Sequence, residues 1–285
     1  MAAETLLRLE NLSYSYPGGA AALSAVNLEI RAGETWLVAG PPGSGKSTLL
    51  RCLNGLLRPA GGRILLRGAD INLNKKTLRA ARTEVGLALQ FPEQQLFAPT
   101  VGEDIAFAPR AQGLDAAATA ARVEEARLAA GLPAAVLARP PQSLSGGEKR
   151  RAALAGVLAA RPSVLALDEP LAGLDPLTAR QLLTRLRHWR EGGERALIIV
   201  AHDVEEAAPL ADGLLALRAG KTAAAGPLPQ ILLGEEAGLP PPVMVQLAQA
   251  LRRRGLPVRQ DILGVDEMAA HLLARLTAGK DENGV

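Results

Sequence analysis

Apolar runs of the length of β-strands recur along the chain, and helical stretches separate several of them. The runs are Leu6–Leu12, Val26–Ile30, Trp36–Ala39, Ile64–Arg67, Val85–Leu89, Val164–Leu167, Leu197–Ala201 and Leu214–Leu217. Alternation of strand and helix favours an α/β domain built on a mostly parallel sheet. The runs VLALD and ALIIVAH are almost wholly apolar, as expected of strands that are covered on both faces.

Two other stretches have a helical pattern and no strand pattern. Residues Asp115–Arg139 are rich in alanine, with leucine and valine at helical spacing, and they predict a small helical insertion. Near the C-terminus, the proline-rich run Leu239–Pro242 precedes two amphipathic segments, Val243–Arg254 and Asp266–Leu276. The predicted parts are a main domain over residues 1–232, a helical subdomain within it at about 91–160, and a C-terminal helical appendage over residues 233–285.

The composition narrows the class of protein. Of the 285 residues, 48% are hydrophobic and 21% are charged, which predicts a sizeable core and excludes a disordered chain. Aromatic residues make up only 2%, which argues against an all-β sandwich because strands favour aromatic side chains. The single cysteine excludes an internal disulfide framework and a cysteine-cluster metal site. The net charge of +3 gives no indication of nucleic-acid binding.

Two features of the chain bear on its location. The first residues, MAAETLLRLEN, lack the basic and then apolar pattern of a secretory signal. The longest apolar runs, such as Ala196–Ala201, fall far short of the roughly 20 residues that cross a bilayer. Both features predict a cytosolic globular protein.

A glycine-rich segment follows the apolar run Trp36–Ala39 and opens the helical stretch Ser47–Leu57. It fits the pattern G-x-x-x-x-G-K-[ST] and consists of Gly40, Pro41, Pro42, Gly43, Ser44, Gly45, Lys46, Ser47 and Thr48. Backbone N–H groups of such a loop, at a helix N-terminus, surround phosphate oxygens. Lys46 would reach the terminal phosphates, and Ser47 would offer its hydroxyl to Mg²⁺. The alternative is a glycine-rich turn with an incidental lysine, and the strand–loop–helix context favours nucleotide binding over it.

Two acidic residues follow the apolar run Val164–Leu167. Asp168 is suited to hold Mg²⁺ directly or through water, and Glu169 is suited to polarise a water that attacks the γ-phosphate. A plain turn or a helix cap would also use two carboxylates. The phosphate loop elsewhere in the chain favours the catalytic interpretation.

A second helix start precedes the strongly helical stretch Lys149–Ala160. Its residues are Ser145, Gly146, Gly147 and Glu148. The bare N–H groups at such a helix start form an anion site. The same S-x-x-E spacing fits a capping box, and one residue can serve in both ways.

These motifs, in this order, resemble those of the ATP-binding cassette (ABC) ATPases. The resemblance runs from about Leu6 to Pro227 and includes Gln90 after an apolar run, the AGLD segment that ends at Asp175, and IIVAHD around His202. It implies a P-loop α/β cassette with a mostly parallel core sheet, an antiparallel β edge, a helical signature subdomain and a small helical C-terminal appendage. It also implies that two cassettes pair head to tail and hold each ATP between the Lys46 loop of one and Ser145 of the other.

The resemblance further implies a role for several residues. Glu169 would be the general base, Gln90 would contact Mg²⁺ and the lytic water, and His202 would contact the γ-phosphate. The ligands of Mg²⁺ would be Ser47, Gln90 and Asp168. Asp175 would act across the dimer. Tyr16 would stack on the adenine, although Tyr14, two residues earlier, could take that role.

Residues 86–107, GLALQFPEQQLFAPTVGEDIAF, resemble the energy-coupling factor (ECF) subgroup, which takes up vitamins, cobalt or nickel. The runs LNGLLRP and RRAALAGVLA and the C-terminal appendage indicate the same subgroup, in which the appendage helps to hold the dimer together. One departure from the subgroup pattern is Pro41-Pro42. The member of the ECF ATPase pair that carries FPE after the loop glutamine usually has a polar residue or threonine there. The alternative is the ATPase of an importer that depends on a periplasmic binding protein.

The ECF resemblance implies several partners on the cytoplasmic face of the cell membrane. They are a second ABC ATPase, either a copy of this chain or a related one, a transmembrane coupling subunit and a small membrane-embedded substrate-binding subunit. No nucleic acid is expected. Phe91, Leu96 and Phe97 are apolar residues in a loop and predict a surface for the membrane partner. Alternatively, they pack beneath the helical insertion as a satellite core.

Overall fold

A computed structural model describes residues 3–91, 95–234, 238–259 and 261–281, with side chains as far as Arg275. Within these ranges the strands form a four-stranded and a six-stranded sheet. The strands are β1 (Thr5–Ser15), β2 (Ala21–Arg31), β3 (Thr35–Ala39), β4 (Gly61–Leu66), β5 (Ala69–Asp70), β6 (Val85–Ala88), β7 (Val164–Asp168), β8 (Ala196–Val200), β9 (Gly213–Arg218) and β10 (Lys221–Pro227). The helices are α1 (Lys46–Leu53), α2 (Lys75–Glu84), α3 (Val101–Ala111), α4 (Ala116–Ala130), α5 (Gly146–Ala159), α6 (Pro176–Arg190), α7 (Val204–Ala207), α8 (Leu228–Leu233), α9 (Val243–Arg253) and α10 (Val265–Asp281).

The six-stranded sheet has the strand order β10-β9-β3-β8-β7-β6. The strands from β9 to β6 are parallel, and β10 pairs antiparallel with β9 at one edge. Every residue of β7 and β8 is buried. The prediction of a mostly parallel core sheet, made from the apolar runs, is confirmed.

Alternate residues of the central strands enter two different cores. Leu165 and Leu167 pack with the helices α3 to α6 on one face. Ala166 and Ile198 pack on the other face with α1 and with the strands β1, β2 and β4. Because strand side chains alternate between faces, a strand between two apolar layers has no polar position, which explains the continuous apolar runs.

The four-stranded antiparallel sheet, in the order β2-β1-β4-β5, is the predicted antiparallel edge. Its strands β1 and β2 are longer than the apolar runs that predicted them. Their outer faces carry polar residues, such as Arg8, whose Nη2 lies 3.0 Å from Oε2 of Glu29. Polar side chains on an exposed face leave the strand intact but interrupt the apolar pattern.

Helices α3, α4 and α5 pack against one another and form the helical part of the molecule. Helix α4 ends earlier than the predicted insertion, at Ala130, because Gly131 adopts a left-handed conformation with φ 70°. Helix α5 begins at Gly146 rather than at Lys149, because Ser145 and Glu148 cap each other's backbone N–H groups. The capping box expected from the S-x-x-E spacing is therefore present.

Helix α1 is shorter than the predicted Ser47–Leu57 and ends at Leu53. The side-chain amide of Asn54 donates a hydrogen bond to the backbone oxygen of Val85 on β6. Gly55 follows with φ 71°, a conformation that ends a helix readily. The end of α1 thus depends on a contact with a distant strand.

The C-terminal helix α9 lies within one residue of its predicted bounds, whereas α10 extends five residues past its predicted end, and the two share a small core of their own. Its buried residues are Ala248, Val258, Ile262 and Met268. Leu228 and Leu232 of α8 pack instead into the main core. Within the described part of the chain, none of the helices has the length and apolar content that crossing a membrane requires.

Candidate functional site

The carboxyl ends of four neighbouring strands bring the predicted catalytic residues to one edge of the sheet. Val200 at the end of β8 is in register with Val38 of β3 and with Asp168 of β7. Parallel strands that end at the same level place their following residues together, and ligands bind at this edge in open α/β sheets. The residues that follow these strands are Gly40 after β3, Gln90 after β6, Glu169 after β7 and His202 after β8.

The backbone of the phosphate loop needs glycine at two positions. Gly40 has φ 147°, and a Cβ there would lie 2.1 Å from the backbone oxygen of Leu217. Gly45 has φ 103°, and a Cβ there would lie 2.4 Å from the backbone oxygen of Ala22. Because both positions are left-handed and crowded, the loop conformation excludes other residues.

Lys46 lies within the loop and is only 7% exposed. Its Nζ donates hydrogen bonds to the backbone oxygens of Gly40, at 2.7 Å, and Pro41, at 3.1 Å. Burial lowers the pKa of Lys46, and the nearby carboxylates of Glu169 and Asp168 raise it. A buried ammonium group held by neutral carbonyls is well placed to pair with the phosphates of a nucleotide.

Asp168 is 5% exposed and accepts a hydrogen bond from the side chain of Ser47. Burial raises the pKa of Asp168, and the charge of Glu169 adds to this. The Ser47 hydrogen bond and the cations Arg51 and Lys46 lower that pKa. A hydroxyl and a carboxylate in contact are the oxygen ligands that Mg²⁺ prefers, so these residues fit the metal.

The loop also contains a buried polar atom without a partner. The Oγ of Ser44 makes no hydrogen bond to any described residue, and the residue is 2% exposed. Buried hydroxyl groups are normally satisfied. A phosphate oxygen in the loop would supply the missing acceptor, so Ser44 also fits a nucleotide.

Glu169 is held beside this loop by Gln90. The Nε2 of Gln90 donates to Oε2 of Glu169 over 2.6 Å. Glu169 has a left-handed backbone with φ 50°, and its N–H donates to the backbone oxygen of Val200 over 3.0 Å. A non-glycine residue in this region is uncommon and strained. The hydrogen bonds to Val200 and Gln90 hold Glu169 in this conformation at the sheet edge.

Tyr16, rather than Tyr14, contacts the phosphate loop. The hydroxyl of Tyr16 lies 3.2 Å from Oγ1 of Thr48, and the residue is 40% exposed. Tyr14 packs against the core between the two sheets and meets the Tyr16 ring edge to face at 5.0 Å. Of the two tyrosines, Tyr16 is therefore the one whose side chain lies beside the phosphate loop.

Ser145 and Glu148 form the other half of the predicted site. The carboxylate of Glu148 accepts from the backbone N–H of Ser145 over 2.8 Å, and Oγ of Ser145 accepts from the N–H of Glu148 over 3.3 Å. A Cβ on Gly146 would have no atom within 4 Å, and one on Gly147 would meet only the Arg151 guanidinium at 3.8 Å. Packing within the chain therefore leaves this helix start open.

Asp175 and His202 lie on the surface. The Oδ1 of Asp175 accepts from the backbone N–H groups of Leu177 and Thr178, each at 3.0 Å, and so caps α6. His202 is exposed at the end of β8. Packing within the chain therefore leaves both side chains exposed to solvent.

Sequence reasoning missed Glu206 on α7. Burial raises the pKa of Glu206, as do the charges of Asp203 and Glu169, and His202 opposes them. Glu206 thus lies at the same charged edge of the sheet as Glu169 and His202. It lies on a one-turn helix in no motif, and only the tertiary structure brings it near Glu169.

A family model described as ABC transporter matches residues 23–172. The chain belongs to the ABC transporter family. The matched range contains the phosphate loop, Gln90, the Ser145 helix start and the Asp168–Glu169 pair, so one family pattern joins both halves of the site. The resemblance to ABC ATPases inferred from these motifs is confirmed, and with it the binding and hydrolysis of ATP.

The relatives of this ABC ATPase match it over most of its length. The energy-coupling factor transporter ATP-binding protein EcfA2 of Caldanaerobacter subterraneus subsp. tengcongensis is 38% identical, over 96% of this chain and 99% of its own. The cobalt import ATP-binding protein CbiO of Rhodobacter capsulatus is 46% identical, over 87% of this chain and 89% of its own. These matches confirm the assignment of the chain as an ATPase subunit of the ECF type.

Solved structures of ABC proteins share the fold. The cbiO1 protein of Clostridium perfringens, described as part of the ABC transporter complex cbiONQ, has a TM-score of 0.75 and 32% identity over 88% of this chain and 98% of its own. The cassette MJ0796, solved as a dimer bound to ADP and Pi, has a TM-score of 0.71 and 26% identity over 78% of this chain and 99% of its own. Part of the ECF-like run, Pro92–Gln94, lies outside the described residues.

Proposed function

We propose that this chain is one of two cassettes that close head to tail around ATP and power the uptake of a vitamin or a transition-metal ion. The observation that carries the proposal is the hydrogen bond of 2.6 Å that holds the Glu169 carboxylate to Gln90 beside the phosphate loop. A carboxylate fixed at a strand end next to a phosphate site has the place of a general base for hydrolysis.

The reaction follows from these positions. Glu169 accepts a proton from a water molecule while the water oxygen attacks the γ-phosphorus. The bond from that phosphorus to the bridging oxygen of ADP breaks, and ADP and phosphate leave. Lys46 pairs with the terminal phosphates and stabilises the charge that spreads over their oxygens. His202 contacts the γ-phosphate from the end of β8.

Ser47, Asp168 and Gln90 would hold Mg²⁺. In that place Mg²⁺ would supply positive charge that offsets the negative charge of the phosphates. Tyr16 would stack on the adenine. The phosphate loop, in which the buried Ser44 hydroxyl has no hydrogen-bond partner among the described residues, would receive the phosphates between these groups.

Pairing of two cassettes would complete the site. The helix start at Gly146 is open to solvent, and its bare N–H groups attract an anion. In a head-to-tail dimer, the Ser145 helix start of one chain meets the γ-phosphate bound in the Lys46 loop of the other, and Asp175 reaches across the interface. ATP then holds the dimer closed, and its hydrolysis lets the dimer open.

A surface groove supports the proposal of a membrane partner. It is called the coupling groove below and is a cavity of about 280 Å³ whose apolar lining includes Leu56, Leu89, Leu96, Phe97, Phe107 and Ala108. Phe97 is 66% exposed and Phe107 is 56% exposed, and their rings meet edge to face at 5.0 Å. Large exposed aromatic rings beside a cavity are typical of a protein interface. Leu96 also packs against the main core.

We assign the coupling groove to a helix of a transmembrane coupling subunit on the cytoplasmic face of the membrane. A small membrane-embedded subunit would bind the solute. The relative named for cobalt import favours a transition-metal ion as one class of solute, and the ECF resemblance favours a vitamin as the other. A binding-protein-dependent importer is the second candidate, since its ATPase would use the same catalytic residues.

The first test is a pull-down of the tagged chain from native membranes, with identification of each copurifying protein. We expect a transmembrane scaffold, small membrane-embedded binding proteins and a second ATPase or a second copy of this chain. The binding proteins would then identify the solute. Two permease chains with a periplasmic binding protein would overturn the proposed assembly and leave the ATPase chemistry unaffected.

A further inference from the structure

Arg139 contacts both sides of the segment that carries Ser145. This segment, residues 143–148, is called the signature loop below. The Nη1 of Arg139 donates to Oε1 of Glu148 over 3.0 Å, and Nη2 donates to the backbone oxygen of Ser143 over 2.5 Å. The Nε donates to Oγ of Ser143 over 3.3 Å. One guanidinium group therefore holds the loop before and after Ser145.

Glu148 transmits this contact to the backbone of Ser145. Its Oε1 accepts from Arg139, and its Oε2 accepts from the Ser145 N–H over 2.8 Å. These contacts with the Ser145 N–H and Arg139 lower the pKa of Glu148, so the carboxylate is charged at neutral pH. The Glu148 side chain is 21% exposed and that of Arg139 is 40% exposed. The planar fork of arginine fits two acceptors at once, which a lysine ammonium does less well.

The backbone of Arg139 connects the signature loop to the coupling groove. The N–H of Val101 donates to the Arg139 backbone oxygen over 3.0 Å. Val101 begins α3, whose buried Asp104 accepts from the N–H groups of Phe97, at 3.1 Å, and Ala98, at 3.0 Å. Hydrogen bonds thus run from the groove aromatic Phe97 through the start of α3 to Arg139 and on to Glu148.

We propose that Arg139 is a positioning residue, which holds the signature loop in the conformation that receives the γ-phosphate of ATP bound to the other cassette. The inference rests on the proposed head-to-tail dimer. The hydrogen bonds of Arg139 given above join it to Ser143, Glu148 and Val101, and none of them involves the Lys46 loop. Its loss should weaken the closure of the dimer by ATP and leave nucleotide binding to the single chain unchanged.

The test uses the Glu169→Gln chain, alone or with the second cassette that copurifies with it, and measures the ATP concentration at which half of it is dimeric. We expect Arg139→Ala to raise this concentration by about tenfold, the effect of losing a hydrogen bond to a charged group. Arg139→Lys should restore part of the loss. The control is Arg161→Ala, which removes the ion pair of 2.5 Å with Glu125 in the same helical part of the molecule and should change nothing.

A second measurement separates positioning from general damage. ADP binding to the chain with Arg139→Ala should stay within about twofold of the parent, because the Lys46 loop is untouched. Combining Arg139→Ala with Glu148→Gln should reduce dimerisation no more than Arg139→Ala alone, since the charged pair of Arg139 and Glu148 is already lost in the single variant. Equal dimerisation with and without Arg139, or equal losses of ADP binding and dimerisation, would overturn the inference. Failure of Glu169→Gln itself to dimerise with ATP would instead overturn the proposed dimer, and with it the role proposed for Arg139.

Discussion

At the scale of single residues, Glu169, which accepts a hydrogen bond from Gln90, allows ATP hydrolysis to be tested separately from ATP binding. Glu169→Gln keeps the size and the hydrogen-bonding capacity of the side chain but removes the base. We expect ATP hydrolysis to fall by roughly 100-fold or more, with ATP still bound and the dimer held closed. Turnover and the ATP-dependent dimer fraction are measured together. The exposed Glu205→Gln on α7 is the control, and wild-type turnover of Glu169→Gln would refute the base assignment.

Lys46 is a second residue whose loss should act on function and not on folding. Its ammonium is buried and donates to two loop carbonyls, and burial alone lowers its pKa. We expect Lys46→Ala to weaken ATP binding by about tenfold or more, because a charge-assisted contact to phosphate is lost. Calorimetric titration with ATP measures this, and the melting temperature should change little. The exposed Lys76→Ala on α2 should bind ATP normally, and an unchanged affinity of Lys46→Ala would contradict the phosphate role.

At the scale of elements, the sequence predicted best what depends on local pattern. The strands β7 and β8 are apolar at each position except Asp168 because both faces are covered. The sequence pattern alone therefore predicted them as buried strands. The end of α1 was not, because Asn54 meets Val85 on a different element. Glu206 was missed for the same reason, since only the tertiary structure brings it near Glu169. Arg139 was missed although its partners Ser143 and Glu148 lie only four and nine residues away, because it belongs to none of the motifs. Predictions from pattern stop where a contact joins distant parts of the chain.

Helix α5 allows a test that separates stability from function. Gly146 begins the helix, and a Cβ there would meet nothing within 4 Å. Alanine favours helix over glycine by about 1 kcal/mol, so Gly146→Ala should keep or slightly raise the free energy of unfolding. The new methyl group would stand where the γ-phosphate of the other cassette approaches.

We therefore expect Gly146→Ala to reduce ATP-driven dimerisation and hydrolysis while denaturant midpoints stay at or above those of the parent. The matched control is Gly156→Ala in the last turn of the same helix, where a Cβ also meets nothing within 4 Å. That control should stabilise the chain and dimerise as before. Normal dimerisation of Gly146→Ala would mean that the open helix start does not face a nucleotide.

At the scale of the whole molecule, the catalytic edge and the coupling groove depend on different surfaces. Phe97 is 66% exposed, so its side chain contributes little to the core of this chain. We expect Phe97→Ala to leave ATP binding and the hydrolysis of the separate chain unchanged and to lower its copurification with the membrane subunits several-fold, as the loss of an interface aromatic does. Leu73→Ala removes an apolar side chain that is 72% exposed on another part of the surface, and it should keep the complex intact. Because both variants delete exposed apolar groups, only a specific interface distinguishes them. If Phe97→Ala and Leu73→Ala assemble equally well, the membrane partner must bind at a surface other than the coupling groove.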